Sequence, residues 1–329
     1  MKILLITEQR DGKWNQVGFE TLRAAQEIAH DTGGTLSGVV IGKAVAALAQ
    51  ELAGAELDEV LLVEHDLLDQ YTPDGFTIAL RQVIERAKPD LVLLPHTYQV
   101  RDFVPKLAAS IDRGMIGDSI GYRYENGKLI FVRQMFQGRT AADVTFTGDA
   151  PWVASFQAGA FRADLVRKRE SGRAPVRSES VELKPDEIRT KPLELFREAK
   201  QAVDLTQAPV LVSIGRGIKA PENIPMAERL AKLMGGELCA SRPICDEGWL
   251  PMDRQIGSSG QTVAPKLYLA LGISGAIQHV VGMKGARTIA AINKDPNAPI
   301  FEVADYGIVG DLFEIVPALI EELERLKSS

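Results

Sequence analysis

The chain has 329 residues, a length typical of about two domains. Hydrophobic residues make up 45% of it and charged residues 25%, the balance of an ordinary globular protein. A net charge of −6 with only 6% aromatic residues argues against a nucleic-acid binder, which needs a basic surface and stacking rings. No apolar run approaches the ~18–20 residues of a membrane span, and no signal or transit peptide is recognisable. We therefore expect a cytoplasmic protein of bacterial or archaeal type without direct membrane insertion; a mature mitochondrial matrix protein would look the same.

The first part of the chain alternates buried strands with amphipathic helices. Runs rich in Val, Ile and Leu predict strands in KILLITE, TLSGVVIG, EVLLVEH and PDLVLLPH. Apolar positions at helical spacing predict helices over 17–32 and in AVAALAQELAG, DGFTIALRQVIERAK and VPKLAASID. This alternation is typical of βαβ units, in which helices cover both faces of a parallel sheet.

The pattern changes after this alternation. A hairpin is predicted in YRYENGKLIFVRQMF, with its turn at Asn126-Gly127, followed by a strand in DAPWVASF. From Leu165 to about Gln201 charges of both signs are interleaved, which predicts a solvated connector with one edge strand at Val181–Leu183. We place the domain boundary near residue 200, which gives an N-terminal domain over 1–200 and a C-terminal domain over 201–329.

The C-terminal domain begins a second α/β alternation. Strands are predicted in APVLVSIG, GELCAS, KLYLALGIS, RTIAAINK and PIFEVADYG, and helices in IPMAERLAKLM, GAIQHVVGMKG and IVGDLFEIVPALIEELERLK. The predicted fold class is therefore α/β, with two doubly wound domains and mainly parallel sheets. Ligands of such sheets bind at the carboxyl ends of the strands.

Small and polar residues gather at those predicted strand ends. Two glycines flank Arg216 in SIGRGIK, so that backbone N–H groups and a guanidinium can approach a phosphate. Ser241 and Arg242 follow the next strand, a pairing that suits a phosphate or an aromatic ring. The loop QIGSSGQT carries hydroxyls and amides that can face a polar ligand. Each of these features is also common in ordinary surface loops.

Two further clusters lie closer to the C-terminus. Ser274 is expected at the positive N-terminal end of a helix that also carries His279, whose ring can act as a donor or a partial cation. Asn293 and Lys294 end one strand, Asp305 is expected to end the next, and Asp311 opens the last helix as a ligand contact or a cap. Clusters at consecutive strand ends predict one dinucleotide-sized ligand with phosphates, a ribose and a flat ring.

Motifs for hydrolysis or group transfer are not present in the sequence. It contains no P-loop, no G-x-S-x-G and no H-E-x-x-H, which fits redox chemistry carried by a cofactor. Cys239 and Cys245 have no second Cys/His pair nearby, so we expect reduced thiols and no metal site. His30, His65 and His96 are interpreted as structural or surface residues.

One long segment carries a family resemblance. The stretch from QIGSSGQTVAP through LGISGAIQH and AINKD to VADYGIVGDLFEIVPAL closely resembles the FAD-binding domain of electron transfer flavoprotein α subunits. The N-terminal α/β part and the charged connector also fit that family. The resemblance implies that the C-terminal domain is an FAD-binding Rossmann-like unit, and that the chain forms a heterodimer with a β subunit. It implies an N-terminal domain that associates with that subunit and binds no nucleotide.

The resemblance also implies roles for individual residues. Arg242 corresponds to the arginine beside the flavin ring that favours negatively charged reduced flavin, Ser259 to the hydroxyl residue near flavin N5, and His279 to the histidine near flavin O2. Arg216 and Ser274 correspond to phosphate contacts. The other implied contacts are Ser241, Gln255, Gly257, Ser258, Gly260, Gly272, Gly275, Ala276, Gln278, Asn293, Lys294 and Asp311.

The chain departs from the family pattern in three places. The family's loop usually reads Q-[IV]-G-Q-T-G-K, whereas Ser258, Ser259 and Gln261 stand here in place of its second glutamine, threonine and lysine. The segment SRPICDEGWLP differs from the commoner SRAAVDAGW. In the N-terminal domain, Val100 replaces the glycine of a Gly-[RK]-D pattern.

The function that the resemblance implies is electron transfer by bound FAD, from acyl-CoA dehydrogenases or related flavoenzymes to an acceptor such as a membrane quinone reductase. Such a protein is an electron carrier of fatty acid β-oxidation rather than an enzyme that transforms a substrate. Two alternatives remain open: a bifurcating complex whose β subunit holds a second flavin and oxidises NADH, and a nucleotide-binding scaffold without redox turnover. A nicotinamide dehydrogenase is disfavoured because the G-x-G-x-x-G turn is absent.

Overall fold

The computed structural model describes residues 1–10, 12–136, 138–193 and 205–328. The chain forms two compact units, one of Met1–Met135 with Arg139–Leu195 and one of Phe136–Gly138 with Phe196–Ser329. The predicted boundary at residue 200 lies outside the described residues. Each unit contains a large, mainly parallel sheet with helices, which confirms the predicted fold class. Among the helices that the structure describes, none is both long and apolar enough to cross a membrane.

The N-terminal unit is built on a nine-stranded sheet with the order β11-β5-β4-β1-β6-β10-β7-β8-β9. Its helices are α1 (Gln16–Thr32), α2 (Ala46–Leu52), α3 (Pro73–Ala87) and α4 (Tyr98–Ser110). Its strands, with the separate ribbon β2–β3, are β1 (Lys2–Ile6), β2 (Gln9–Arg10), β3 (Lys13–Trp14), β4 (Thr35–Gly42), β5 (Glu59–Glu64), β6 (Leu91–Pro95), β7 (Met115–Glu125), β8 (Lys128–Met135), β9 (Thr140–Val144), β10 (Trp152–Phe156) and β11 (Val176–Ser178).

The sheet of the N-terminal unit buries both faces. Successive side chains of a strand point to opposite faces. Ile3 and Leu5 accordingly pack in one core with residues of α1 and α2, whereas Leu4 and Ile6 pack in a second core with residues of α3 and α4. Double burial explains why β1 is a continuous apolar run rather than an alternating one.

The hairpin lies where the sequence predicts it, and the edge strand does not. Strands β7 and β8 pair antiparallel through a turn at Asn126-Gly127, both of which have positive φ. The edge strand of the connector is Val176–Ser178, which pairs with β5; the prediction at Val181–Leu183 was wrong. There the backbone N–H and C=O of Glu182 bond to the side-chain amide of Gln82 instead of a strand.

The C-terminal unit contains one parallel six-stranded sheet with the order β14-β13-β12-β15-β16-β17. Numbered within the unit, this is the 3-2-1-4-5-6 order of the dinucleotide-binding fold, which reverses direction between β12 and β15. The strands are β12 (Val210–Ile214), β13 (Glu237–Ser241), β14 (Gln255–Ile256), β15 (Leu267–Leu271), β16 (Ile289–Asn293) and β17 (Tyr306–Val309), and the helices are α5 (Ile224–Leu233), α6 (Arg242–Asp246), α7 (Ile277–Met283) and α8 (Leu312–Ser328).

One predicted strand of this unit begins later than expected. The segment PIFEVADYG was expected to be extended throughout, but Pro299–Glu302 forms a 3₁₀ turn and β17 begins only at Tyr306. Pro299 cannot donate to a strand ladder, and it suits the first turn of a helix. Asp305 therefore precedes the strand instead of ending it, and its carboxylate accepts a 2.8 Å hydrogen bond from the N–H of Ile289.

Helix α1 contains a buried carboxyl group whose charge state we expect to affect stability. Glu20 is 5% exposed and accepts a 2.6 Å hydrogen bond from the N–H of Gly159. Burial raises its pKa from 4.5 to about 7, against a smaller opposing effect of that hydrogen bond. Because the folded pKa lies above the unfolded one, the cost of ionising this group in the folded state grows between about pH 4.5 and 7 and stays constant above.

We predict that Glu20→Gln removes this pH dependence, because glutamine keeps the acceptor and carries no charge. The free energy of unfolding of the variant should equal that of the parent near pH 4.5. At pH 8 it should exceed that of the parent by up to about 3 kcal/mol. The measurement is the thermal denaturation of both proteins across this pH range. Glu51→Gln, an exposed position of α2, controls for the change in net charge. A pH-independent difference between Glu20→Gln and the parent would contradict the prediction.

Candidate functional site

A cleft of about 820 Å³ opens at the carboxyl ends of the C-terminal sheet. The loops after β12, β13, β14, β15 and β16 all line it, so it spans the point where the strand order reverses. The predicted residues that line it are Arg216, Ser241, Arg242, Gly257, Ser258, Ser259, Gly272, Ser274, Ala276, Gln278, His279 and Asn293.

Five predicted residues are not among those that line the cleft. Gly260 and Gly275 are required by packing, since a Cβ there would lie 2.4 Å from the Gln255 carbonyl oxygen and 2.1 Å from the Ile300 nitrogen, respectively. The carboxylate of Asp311 accepts a hydrogen bond from Phe313 N–H at the start of α8, which lowers its pKa, and it lies 3.6 Å from the Lys219 ammonium. The remaining two are Gln255, considered below, and Lys294.

The cleft also has lining residues that were not among the individually predicted site residues. Two of them, Gly215 and Gly217, flank Arg216 in the glycine turn that the sequence did show. Others follow β16, where Pro299 opens a 3₁₀ turn in a segment that was predicted as a strand. The full additional set is Gly215, Gly217, Pro243, Ile256, Ile273, Asp295, Ala298 and Pro299.

Two glycine backbones pack against each other at the floor of the cleft. A Cβ on Gly217 would lie 2.6 Å from the Cα of Gly272, and a Cβ on Gly272 would lie 2.6 Å from the Cα of Gly217. The N–H of Gly217 donates a 3.1 Å hydrogen bond to the carbonyl of Gly272, and Gly272 has a φ of +61°. Side chains would separate the loops after β12 and β15, so glycine is needed for this close approach.

Two arginines give the cleft its positive charge. Arg216 is exposed, and no carboxylate among the described residues forms an ion pair with it. The guanidinium of Arg242, the first residue of α6, lies 3.1 Å from the carboxylate of Asp246, with its side chain 65% exposed. An exposed pair of this kind is weak and leaves the other guanidinium N–H groups available. The cleft is thus suited to an anionic ligand.

The hydroxyl of Ser259 is oriented by the buried side chain of Gln255. Gln255 is 1% exposed, and its Nε2 donates a 2.9 Å hydrogen bond to Ser259 Oγ. Because that oxygen already accepts a hydrogen bond, its own proton is available for an acceptor in the cleft. Gln255 therefore supports the ligand-facing loop from below instead of lining the cleft.

His279 combines burial with an unsatisfied nitrogen. It is 6% exposed, and its Nε2 lies 2.9 Å from the hydroxyl of Tyr268. Its Nδ1 has no hydrogen-bond partner of ordinary geometry among the described residues. Burial lowers the pKa of the imidazole to about 4, with a smaller opposing effect of the Ile256 backbone. The ring is therefore uncharged at neutral pH.

The loop after β15 differs from the prediction in one respect. Helix α7 begins at Ile277, so Ser274 precedes the helix and His279 lies in its first turn rather than beyond it. The side chain of Asn293 braces this region, because its Nδ2 donates to the Ile273 carbonyl at 2.9 Å and its Oδ1 accepts from the N–H of Asp295 at 3.0 Å. Part of its hydrogen-bonding capacity is thus used within the protein.

The cleft provides the groups that a flavin dinucleotide requires. Glycine backbones and guanidinium groups match phosphates, whereas Ser259 and His279 offer neutral groups that suit the polar edge of a flat ring. The unpaired buried Nδ1 of His279 is the kind of polar atom that a ligand completes. Among the described residues there is no group of three or more His, Cys, Asp or Glu that could hold a metal ion.

Comparisons with known proteins agree with this arrangement. Residues 204–284 match the family model of the electron transfer flavoprotein FAD-binding domain, and residues 3–184 match that of the electron transfer flavoprotein domain. The chain is 40% identical to the electron transfer flavoprotein subunit alpha of Bacillus subtilis, over 99% of this chain and 98% of that protein.

Two further relatives cover the chain equally well. The electron transfer flavoprotein subunit alpha of Thermoanaerobacterium thermosaccharolyticum is 39% identical, over 99% of this chain and 98% of that protein. The acryloyl-CoA reductase electron transfer subunit beta of Anaerotignum propionicum is 34% identical, over 99% and 96%.

The fold and the cleft thus define a flavin-dependent electron-transfer protein. The chain belongs to the electron transfer flavoprotein family, as one of its α subunits. Its cofactor is FAD. The family and the cofactor that the sequence resemblance implied are confirmed.

We predict that Gly272→Ala distorts the cleft, because the new Cβ would meet Gly217 at 2.6 Å. FAD binding by the heterodimer should weaken by more than tenfold, as measured by fluorescence titration of the apoprotein. Gly235→Ala is the matched control: its φ of +67° imposes a similar strain of about 1 kcal/mol, but nothing lies within 4 Å of its Cβ. Equal losses in both variants would contradict the prediction.

Proposed function

We propose that this cleft holds the single FAD of the subunit, and that the FAD-loaded heterodimer carries electrons between other flavoenzymes and a downstream acceptor. The observation that carries the proposal is the convergence of Arg216, Arg242, Ser259 and His279 on one cleft at the strand-order reversal. Its volume, about 820 Å³, lies in the range of roughly 300–1,000 Å³ typical of cofactor sites.

The phosphates would lie at the glycine-lined end of the cleft. Arg216 is exposed in the turn after β12, and no carboxylate of the described residues forms an ion pair with it. Ser274 lines the same cleft from the loop after β15. The close packing of Gly217 on Gly272 allows backbone and ligand to approach. We assign the adenosine half to the side lined by Asn293 and propose Asp311 as a further contact of that half, with Lys294 next to Asn293; neither Lys294 nor Asp311 is among the lining residues.

The flavin ring would lie between Arg242, Ser259 and His279. Bound FAD supplies the one-electron and two-electron chemistry that the side chains lack. Arg242 provides the positive charge that favours negatively charged reduced flavin. His279 is uncharged at neutral pH and contributes hydrogen bonding rather than charge, and the Ser259 hydroxyl is held in place by Gln255. One residue, Arg242, thus provides the positive charge, whereas His279 and Ser259 provide hydrogen bonds.

The partners of the heterodimer are proposed from the family resemblance. We propose acyl-CoA dehydrogenases or related flavoenzymes as electron donors and a quinone reductase as an acceptor. We further propose that the protein acts in the cytoplasm, where thiols remain reduced. Support comes from Cys239 and Cys245, which are both free.

We predict that Arg242→Gln lowers the midpoint potential of the bound flavin. Loss of one positive charge beside the ring disfavours the reduced form, and the exposure of Arg242 limits the decrease to the order of 20 mV. Arg242→Lys should restore most of the potential. Arg229→Gln, which removes an exposed arginine paired with Glu324 on α5 and α8, controls for net charge. A potential unchanged in Arg242→Gln would refute the assignment.

We predict that the purified heterodimer contains one FAD, and that the absorbance of this flavin is bleached during stepwise titration with dithionite. The spectrum should not change on addition of NADH. Absorbance spectroscopy with quantitative flavin release checks both statements. A folded heterodimer that takes up no FAD would overturn the proposed function. If bound FAD accepts no electrons at accessible potentials, the result would favour the alternative of a nucleotide-binding scaffold without redox turnover.

Electron bifurcation is the second candidate, and one observation favours it. Relatives of this chain include the acryloyl-CoA reductase electron transfer subunit beta, whose name associates it with a reductase. The site that oxidises NADH in a bifurcating complex would lie on the β subunit. The titration of the heterodimer with NADH therefore distinguishes bifurcation from simple electron transfer. Two FAD per heterodimer that are bleached by NADH would favour bifurcation over the simple carrier.

A further inference from the structure

Tyr268 lies in the second layer beneath the cleft. It belongs to β15, its side chain is fully buried at 0% exposure, and it is not among the residues that line the cleft. Its hydroxyl lies 2.9 Å from Nε2 of His279. The side chains of Ser213 and Cys239, on the neighbouring strands β12 and β13, lie beside the same hydroxyl. The phenol therefore links the sheet interior to a cleft residue.

Both partners of this hydrogen bond are neutral. Burial raises the pKa of the Tyr268 phenol well above its usual value and lowers the pKa of the His279 imidazole to about 4. A neutral imidazole has one N–H and one bare nitrogen, and only the bare nitrogen accepts a hydrogen bond. The direction of the Tyr268–His279 bond therefore fixes which nitrogen carries the proton.

The acceptor strengths of the groups around the phenol favour a proton on Nδ1, given the 2.9 Å contact between the Tyr268 hydroxyl and Nε2. The bare imidazole nitrogen is a stronger acceptor than the serine hydroxyl or the cysteine thiol beside the phenol, so the Tyr268 O–H donates to Nε2. The Ile256 backbone also favours the protonated imidazole, as a carbonyl acceptor near the ring would. Nδ1 has no hydrogen-bond partner of ordinary geometry in the described part of the chain.

We propose that Tyr268 is a positioning residue that holds His279 in the neutral tautomer with the proton on Nδ1. In this tautomer His279 offers a hydrogen-bond donor to an acceptor atom of the ligand ring, without a positive charge. The identity of that ring as flavin rests on the proposed function. The tautomer itself rests on the contacts within this chain, so the two can fail separately.

The first test is the protonation pattern of His279, measured by ¹⁵N NMR on the heterodimer labelled at histidine. The chain has four histidines, and His279→Asn identifies the signal. Nδ1 should resonate as a protonated nitrogen and Nε2 as an unprotonated one, and Tyr268→Phe should shift the two signals toward each other. Tyr122→Phe, which removes a 2.8 Å hydrogen bond to Asp31 elsewhere, should leave both unchanged. A protonated Nε2 in the parent overturns the proposal, whether or not Tyr268→Phe folds.

The second test is a double-mutant cycle on FAD affinity. Tyr268→Phe should weaken FAD binding to the heterodimer by about 3- to 10-fold, the usual effect of one neutral hydrogen bond. The same substitution in a His279→Ala background should cause no further loss. Equal losses in both backgrounds would mean that Tyr268 acts only through packing and would overturn the proposal. If the parent binds no FAD, the proposed function fails, and the NMR pattern still decides the tautomer.

Discussion

The close approach of two loop backbones at the centre of the C-terminal sheet is the constraint on which the site depends. The strand order reverses between β12 and β15, so their outgoing loops diverge and open a crevice. Gly217 and Gly272 then pack with no room for a Cβ on either residue. The remaining loops are arranged around this contact, and all five loops after β12 to β16 line the same cleft. Three small residues in LGISG thus reflect backbone packing as much as ligand binding.

Burial divides the polar groups of the cleft into two kinds. The guanidinium groups of Arg216 and Arg242 are exposed, so they can meet an anion without a large desolvation cost. His279 is buried and neutral, and Gln255 lies beneath the Ser259 hydroxyl. Charged groups are thus at the surface of the cleft, whereas its deeper wall is built from neutral donors whose orientation is fixed by groups behind them. A deeper wall without net charge avoids the cost of an unpaired buried ion.

Much of the fold and part of the site could be predicted from local patterns, because doubly buried parallel strands are continuous apolar runs. The strands and helices around Arg216, Ser241 and His279 illustrate this. The exceptions involve contacts between residues distant in sequence. Glu182 has its backbone satisfied by the Gln82 side chain rather than by a strand, and a 3₁₀ turn at Pro299 replaces the start of an expected strand. Gln255 and Tyr268 act from the second layer, a position that no motif or periodicity reveals.

The N-terminal unit shows why a similar sheet does not create a similar site. Its strand order reverses between β1 and β6, where polar side chains also gather, but these side chains pair with one another. Glu8 bonds to Asn15 and Thr97, and the His96 ring bonds to Ser155 at 2.8 Å. Val100, which departs from the family pattern, is 2% exposed within the core beneath α4. Groups satisfied internally offer little to a ligand, whereas the Nδ1 of His279 has no hydrogen-bond partner among the residues that the structure describes.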